Sequence, residues 1–159
     1  MSTRYRRGIS VVEIVVAAGI IAIAVTGIAG AWQLYFKISN QSVQYAQTTT
    51  LIEEANEALS VMRDSGWSNK INTLSLNTTY YLYWDGSAYS ATTTPQIIQN
   101  TYLRTIVFQP VTRDASFNIA SSGTTDVNTR KVTITISLSG NASTTLAQSE
   151  MLLHNVFNN

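Results

Sequence analysis

The pattern of apolar positions divides the chain into three stretches. From Ile9 onward residues are apolar almost without interruption, and between Ile14 and Phe36 no charged side chain occurs. As a helix that run spans about 35 Å at ~1.5 Å per residue, enough to cross a bilayer. From Lys37 to Arg63 there is neither Pro nor Gly, and Leu51, Ala55, Ala58, Leu59 and Met62 recur at spacings of three and four. That spacing predicts one apolar stripe on a continuing amphipathic helix. Glu53, Glu54 and Glu57 fall on the complementary face, where solvation is the ordinary expectation. Gly66, after Arg63-Asp64-Ser65, predicts the stop through the left-handed geometry that glycine adopts at helix C-termini. The expectation is a single helix of about 55 residues, on the order of 80 Å long.

Past Gly66 the period changes from that of a helix to that of strands. Thr79-Tyr-Tyr-Leu-Tyr-Trp84 is β-branched and aromatic, Asp85-Gly86 is a tight-turn signal, and Ala88 to Thr92 can return as the second arm of a hairpin. Tyr102 to Gln109 predicts a further strand, blocked by Pro110. Lys131 to Leu138 alternates apolar and hydroxyl residues, the mark of a strand with one buried face. Arg113 to Thr129 is polar and turn-rich and reads as a mobile connecting loop. Leu146 to Phe157, with Met151-Leu152-Leu153 inside it, is long enough for a closing strand. The fold class is therefore α+β: a long N-terminal helix whose outer half packs on an antiparallel sheet of four or five strands.

Composition narrows the chemistry. The 159 residues contain no cysteine, which excludes disulfides, thiolate metal sites and a cysteine nucleophile. Only 12% of residues are charged, and the region after Gly66 is crowded with Thr, Ser, Asn and Tyr, suited to a neutral, strand-rich surface. Formal charge is +1, with Arg4, Arg6 and Arg7 all ahead of the apolar run. The remainder is mildly acidic and carries no basic patch for nucleic acid. The same three arginines place the N-terminus on the cytoplasmic side and the bulk of the chain outside, since only Lys37 directly follows the run.

The N-terminal stretch combines a short basic leader ending in Gly8, an apolar helix beginning at Ile9, and one carboxylate, Glu13, at the fifth position after that glycine. The combination resembles the prepilin signal of type IV pilins and of the pseudopilins of type II secretion, over about the first thirty residues. The resemblance implies a pilin-like structural subunit, most simply a minor pilin or pseudopilin, with no cofactor and no enzymatic activity of its own. It implies a prepilin peptidase cutting between Gly8 and Ile9, and N-methylation of the new amine at Ile9, where the family most often has Phe. It further implies Glu13 in filament assembly, and as partners sibling subunits, an inner-membrane assembly platform and, before assembly, membrane lipid. Residues 1–8 would then be the leader, 9–36 the transmembrane half of the helix, 37–65 its amphipathic half, and 66–159 an extracytoplasmic sheet domain. The protein would be a single-pass inner-membrane protein that later enters a periplasmic or cell-surface filament.

Other readings of the same residues stay open. Gly8 in an uncleaved signal anchor is only a loop residue, and Ala29-Gly30-Ala31 fits the small-residue pattern of an ordinary secretory cleavage site. Glu13 weighs against the secretory reading, because a plain signal helix gains nothing from a carboxylate near its start. Gly19, Gly27 and Gly30 are candidate sites of close helix packing, and by the resemblance Gly27 and Gly30 are where the helix would loosen in a filament. His154 is the sole histidine, and scattered serines give no triad geometry around it. Asp85, Asp114 and Asp126 lack dense oxygen-ligand spacing for calcium. Tyr80, Tyr81, Tyr83, Trp84 and Tyr89 read first as cross-strand packing. A ligand-stacking surface on them would fit the rival function, a membrane-anchored extracytoplasmic binding domain that forms no filament.

Overall fold

The computed structural model describes residues 10–157 and divides between Val43 and Gln44 into two compact units. Helix α1 runs Val11–Ser65, 55 residues, and belongs to both. Within the first unit it is bare: every residue from 10 to 38 is exposed. Within the second unit its buried side chains are Thr48, Leu51, Ala55, Ala58, Leu59 and Met62, the stripe that the three-and-four spacing predicts.

The helix stops at Gly66, as expected, but not in the left-handed cap. Gly66 takes φ +152° and ψ +95° and leads into a π-helical turn, Trp67–Ile71, which buries both of its end residues. The strands follow as β1 Thr79–Trp84, β2 Tyr89–Thr92, β3 Ile97–Ile98, β4 Tyr102–Arg113, β5 Ile119–Ala120, β6 Thr124–Leu138 and β7 Asn141–His154. They form one antiparallel sheet in the order β2-β1-β4-β6-β7. One edge of β4 pairs with β6, and the other takes β3, β1 and β5 in succession. The sheet therefore has seven strands rather than four or five, two of them only two residues long.

Two expectations about this sheet fail for identifiable reasons. Pro110 does not end β4. Asn77 N–H donates to Phe108 O at 2.8 Å and Asp114 N–H to Asn118 O at 2.9 Å, so even-numbered residues of β4 aim their backbone groups away from β6. At Pro110 that side is the gap between β1 and β5, where a missing N–H costs nothing. Arg113 to Thr129 is not a connecting loop either. It forms the end of β4, β5 and the start of β6, with a register shift after Pro110 that leaves Val127, Asn128 and Thr129 without partners on β4.

The core lies between residues 51–62 of the helix and the inner face of the sheet. Leu59, Ala55, Ile106, Val132, Ile134, Ile136 and Leu153 are all 0% exposed, each large side chain adding about 1.5–3 kcal/mol by burial. The edge of β7 reaches further than Leu146 predicts, starting at Asn141, and the strand ends at His154 rather than Phe157.

Two buried arginines tie this core to its surroundings. Arg104, 5% exposed, donates from Nη1 to Leu51 O at 3.0 Å and faces Glu54, with Nη1–Oε2 3.2 Å and Nη2–Oε1 3.3 Å. Glu54 also accepts from the Tyr89 hydroxyl at 3.2 Å. It is thus not a freely solvated residue like Glu53 and Glu57, because the stripe turns it toward a guanidinium that hydropathy alone cannot place. Arg130 donates from Nη1 to the carbonyls of Asp126, Val127 and Thr129 and from Nη2 to Asn72 Oδ1 at 2.8 Å, so it holds the bulged start of β6 against the π-helical turn.

Candidate functional site

Residues 11–43 carry the first candidate site. The first turn is closed by Glu13 N–H and Ile14 N–H donating to Ser10 O at 3.0 and 3.2 Å, and Glu13 lies in that turn. A carboxylate there complements the positive end of the helix dipole. No other charge occurs before Lys37 among the described residues. Glu13, Ile14, Ala17, Ala18 and Ile21 line one shallow groove along the helix. The alanines make a notch between the carboxylate and a larger apolar residue, a shape that admits the ridge of another helix.

Among the described residues nothing packs against the three glycines of this segment. A Cβ built on Gly19, Gly27 or Gly30 meets no atom within 4 Å, and α1 is continuous through all three. Thr26 returns its hydroxyl to the carbonyls of Ala22 and Ile23 at 3.0 and 2.9 Å, which satisfies it inside an apolar run. At the far end Trp32 and Phe36 stack edge-on at 5.6 Å and Tyr35 and Phe36 at 6.1 Å, directly before Lys37. Aromatics beside a cation are the order of residues common at membrane–water boundaries. That signal was legible in the order of residues and escapes a reading that counts charge alone. The Gly8–Ile9 junction lies outside the described residues.

The second unit holds the remaining candidate chemistry. His154 Nδ1 lies 2.9 Å from Thr129 Oγ1, which donates to Asp126 Oδ2 at 2.7 Å. A hydroxyl buried to 2% exposure therefore separates imidazole from carboxylate, where a hydrolytic triad needs the imidazole between them. Asp126 is further held by Arg113 Nε at 2.6 Å and by Asn128 N–H at 2.9 Å. Burial raises its pKa, but the bonds from Arg113, Thr129 and Asn128 outweigh it and bring the group down to about 2. Among the described residues no group of His, Asp and Glu could hold a metal ion. Of the aromatics, Tyr80 is buried against Phe108 at 6.0 Å, and Trp84 and Tyr89 are register partners 4.8 Å apart, whereas Tyr83 and Trp84 remain about half exposed. Packing explains most of this set, as expected.

These features define an architecture more firmly than a reaction. No family model, curated protein or solved structure matches the chain. What stands is a pilin-like architecture: an N-terminal helix long and apolar enough to cross a membrane, whose outer part packs on an antiparallel sheet.

Proposed function

We propose that the protein is a structural subunit, a minor pilin or pseudopilin, of a type IV pilus or type II secretion filament. The observation that carries this reading is the bare segment of α1: an uninterrupted apolar helix, exposed at every residue from 10 to 38, with one carboxylate in its first turn and a packing notch beside it. Lipid covers such a segment before assembly, and the helices of sibling subunits cover it afterwards. In that reading a prepilin peptidase cuts after Gly8, the amine of Ile9 is methylated, and the assembly platform draws the helix out of the inner membrane. In sequence the new amine stands four residues ahead of Glu13. In a filament core both charges are buried, so the amine of an incoming subunit pairs with Glu13 of a neighbour and sets the axial register, which offsets the cost of burying either charge alone.

The test separates processing from assembly. N-terminal sequencing of membrane-extracted protein should give a chain starting at Ile9; a start at Trp32 would support a secretory signal and an intact Met1 a plain anchor. Glu13→Ala should leave insertion and cleavage intact while incorporation into sheared filaments falls sharply beside unmodified siblings. Cleavage together with wild-type incorporation would reduce Glu13 to a helix-end charge and overturn the assembly role.

A further inference from the structure

The sheet has one long open edge. Among the described residues β7 pairs only with β6, and from Ile136↔Ala147 to Thr129↔His154 the register runs without a shift. The outward-facing backbone groups follow from one bond just past the strand. Asn155 N–H donates to Asn128 O at 2.8 Å, in step with the ladder. Odd-numbered residues of β7 therefore exchange bonds with β6, and Gln148, Glu150, Leu152 and His154 turn their N–H and C=O to the open side. The same four side chains are exposed on the outer face of the sheet. Edges of this kind are templates for pairing unless bulges, charged side chains, proline or short length blunt them, and the one carboxylate of this edge, Glu150, is already paired with Lys131. The bulges of this pair lie at the Ser137 end, and the stretch 147–154 is straight and free of proline.

We propose that this edge is an interface for a second copy of the chain, pairing antiparallel about a two-fold axis at Leu152. The charge pattern selects both occupant and register. An axis at Glu150 sets carboxylate against carboxylate. An axis at Met151 sets Glu150 against Leu152, and one at Leu153 sets Leu152 against His154. Only the axis at Leu152 places each Glu150 opposite the other copy's His154, twice, with Leu152 against its own mate, and such complementary cross-strand pairs are the stabilising ones. Both polar groups are already held on their strands. Lys131 Nζ lies 2.9 Å from Glu150 Oε1. Thr129 gives its one hydroxyl proton to Asp126 and so accepts from His154 Nδ1–H at 2.9 Å, which leaves Nε2–H of the imidazolium form to donate to the partner's carboxylate. Asp126 and Arg113 reach His154 only through Thr129. The contact is isologous and closes at two copies.

The chain has no cysteine, so a single introduced thiol reads the register directly. Full-length Leu152→Cys in detergent micelles, under mild oxidant, should give a disulfide-linked dimer roughly tenfold faster than Tyr83→Cys, because paired Cα atoms about 5.5 Å apart lie within disulfide reach. A mixture of Glu150→Cys and His154→Cys should cross-link to each other faster than either does to itself, and this pair carries the test if Leu152→Cys disturbs the fold by circular dichroism. Adding Glu150→Lys to Leu152→Cys should slow the reaction. Association through the apolar helices alone would cross-link all exposed positions alike. Equal rates for Leu152→Cys and Tyr83→Cys, or an unchanged rate with Glu150→Lys, would overturn the proposal.

Discussion

Replacing Glu54 by alanine should cost far more than its place on the exposed side of a helix suggests. The Arg104 side chain is 5% exposed while that of Glu54 is 42% exposed. In Glu54→Ala the guanidinium keeps only the Leu51 carbonyl, and its Nε has no partner even in the parent protein. Breaking a fully buried pair costs about 3–5 kcal/mol. Water reaches the glutamate side, so the lower end applies, and alanine returns a few tenths as the better helix former. The net expectation is about 2.5 kcal/mol, against ~0.5 kcal/mol or less for Glu53→Ala and Glu57→Ala. Arg104→Met removes the buried charge together with its unpartnered nitrogen and should be close to neutral. Glu54→Ala in the Arg104→Met background should then cost almost nothing. Urea unfolding of a fragment of residues 37–159, which retains every buried core residue described, measures all of these as one double-mutant cycle. If Glu54→Ala matches Glu53→Ala, or if its cost survives in the Arg104→Met background, the ion pair does not anchor the helix to the sheet.

The same fragment serves further measurements. It should be soluble and unfold in one cooperative transition; a non-cooperative melt would count against a self-sufficient outer unit. Gly123→Ala should destabilise it by about 2–4 kcal/mol, because φ is +143° and the new Cβ would collide with the Arg113 carbonyl oxygen; an unchanged melting temperature would refute this. Asp126 titrates lower in the folded chain, at about 2 against 3.8, so its contribution is present above the unfolded value and is lost as pH falls through the folded one. Discounted for screening, that is on the order of 1–2 kcal/mol lost between about pH 4 and pH 2, and Asp126→Asn should flatten the urea midpoint over that window.

Where one physical rule governs an element, the sequence is readable. The stripe from Leu51 to Met62 is buried because helical geometry leaves those residues no other common face, and the hairpin at Asp85-Gly86 closes because its turn chemistry admits little else. Pro110 misleads because the cost of a missing donor depends on which edge of β4 it faces, and only the pairing of β1 and β5 settles that. Arg113 to Thr129 misleads because its polarity, ordinarily the mark of a loop, is here consumed by Arg113, Asp126 and Arg130 bonding to one another's backbone and side chains. Arg104 and Arg130 fall in step with the inward positions of Ile106 and Val132, but a charge at such a position reads as exposed; their burial depends on Glu54 and Asn72, fifty and fifty-eight residues away. At the N-terminus the leader and the carboxylate are legible as a pattern, yet the groove of Glu13, Ala17 and Ala18 becomes a shape only when the helix is drawn.

The two units ask for different surroundings, and this bears on how the proposed filament could assemble. The outer unit has its own core, whereas residues 11–38 expose apolar side chains throughout, Val11 and Ile23 at 75%. Lipid and neighbouring apolar helices cover such surface about equally well, so the exchange of one for the other has no hydrophobic driving force. Selection must then come from what lipid cannot supply. Close approach at Ala17 and Ala18 gains dispersion contacts, and a partner for Glu13 removes a cost of ~2.5–3.5 kcal/mol at a bilayer centre, less near its edge. A helix without the carboxylate would sit in the membrane more comfortably and leave it with less reason. On the proposed reading Glu13 therefore destabilises the stored state as much as it orders the assembled one, which is why Glu13→Ala should retain membrane insertion while losing incorporation.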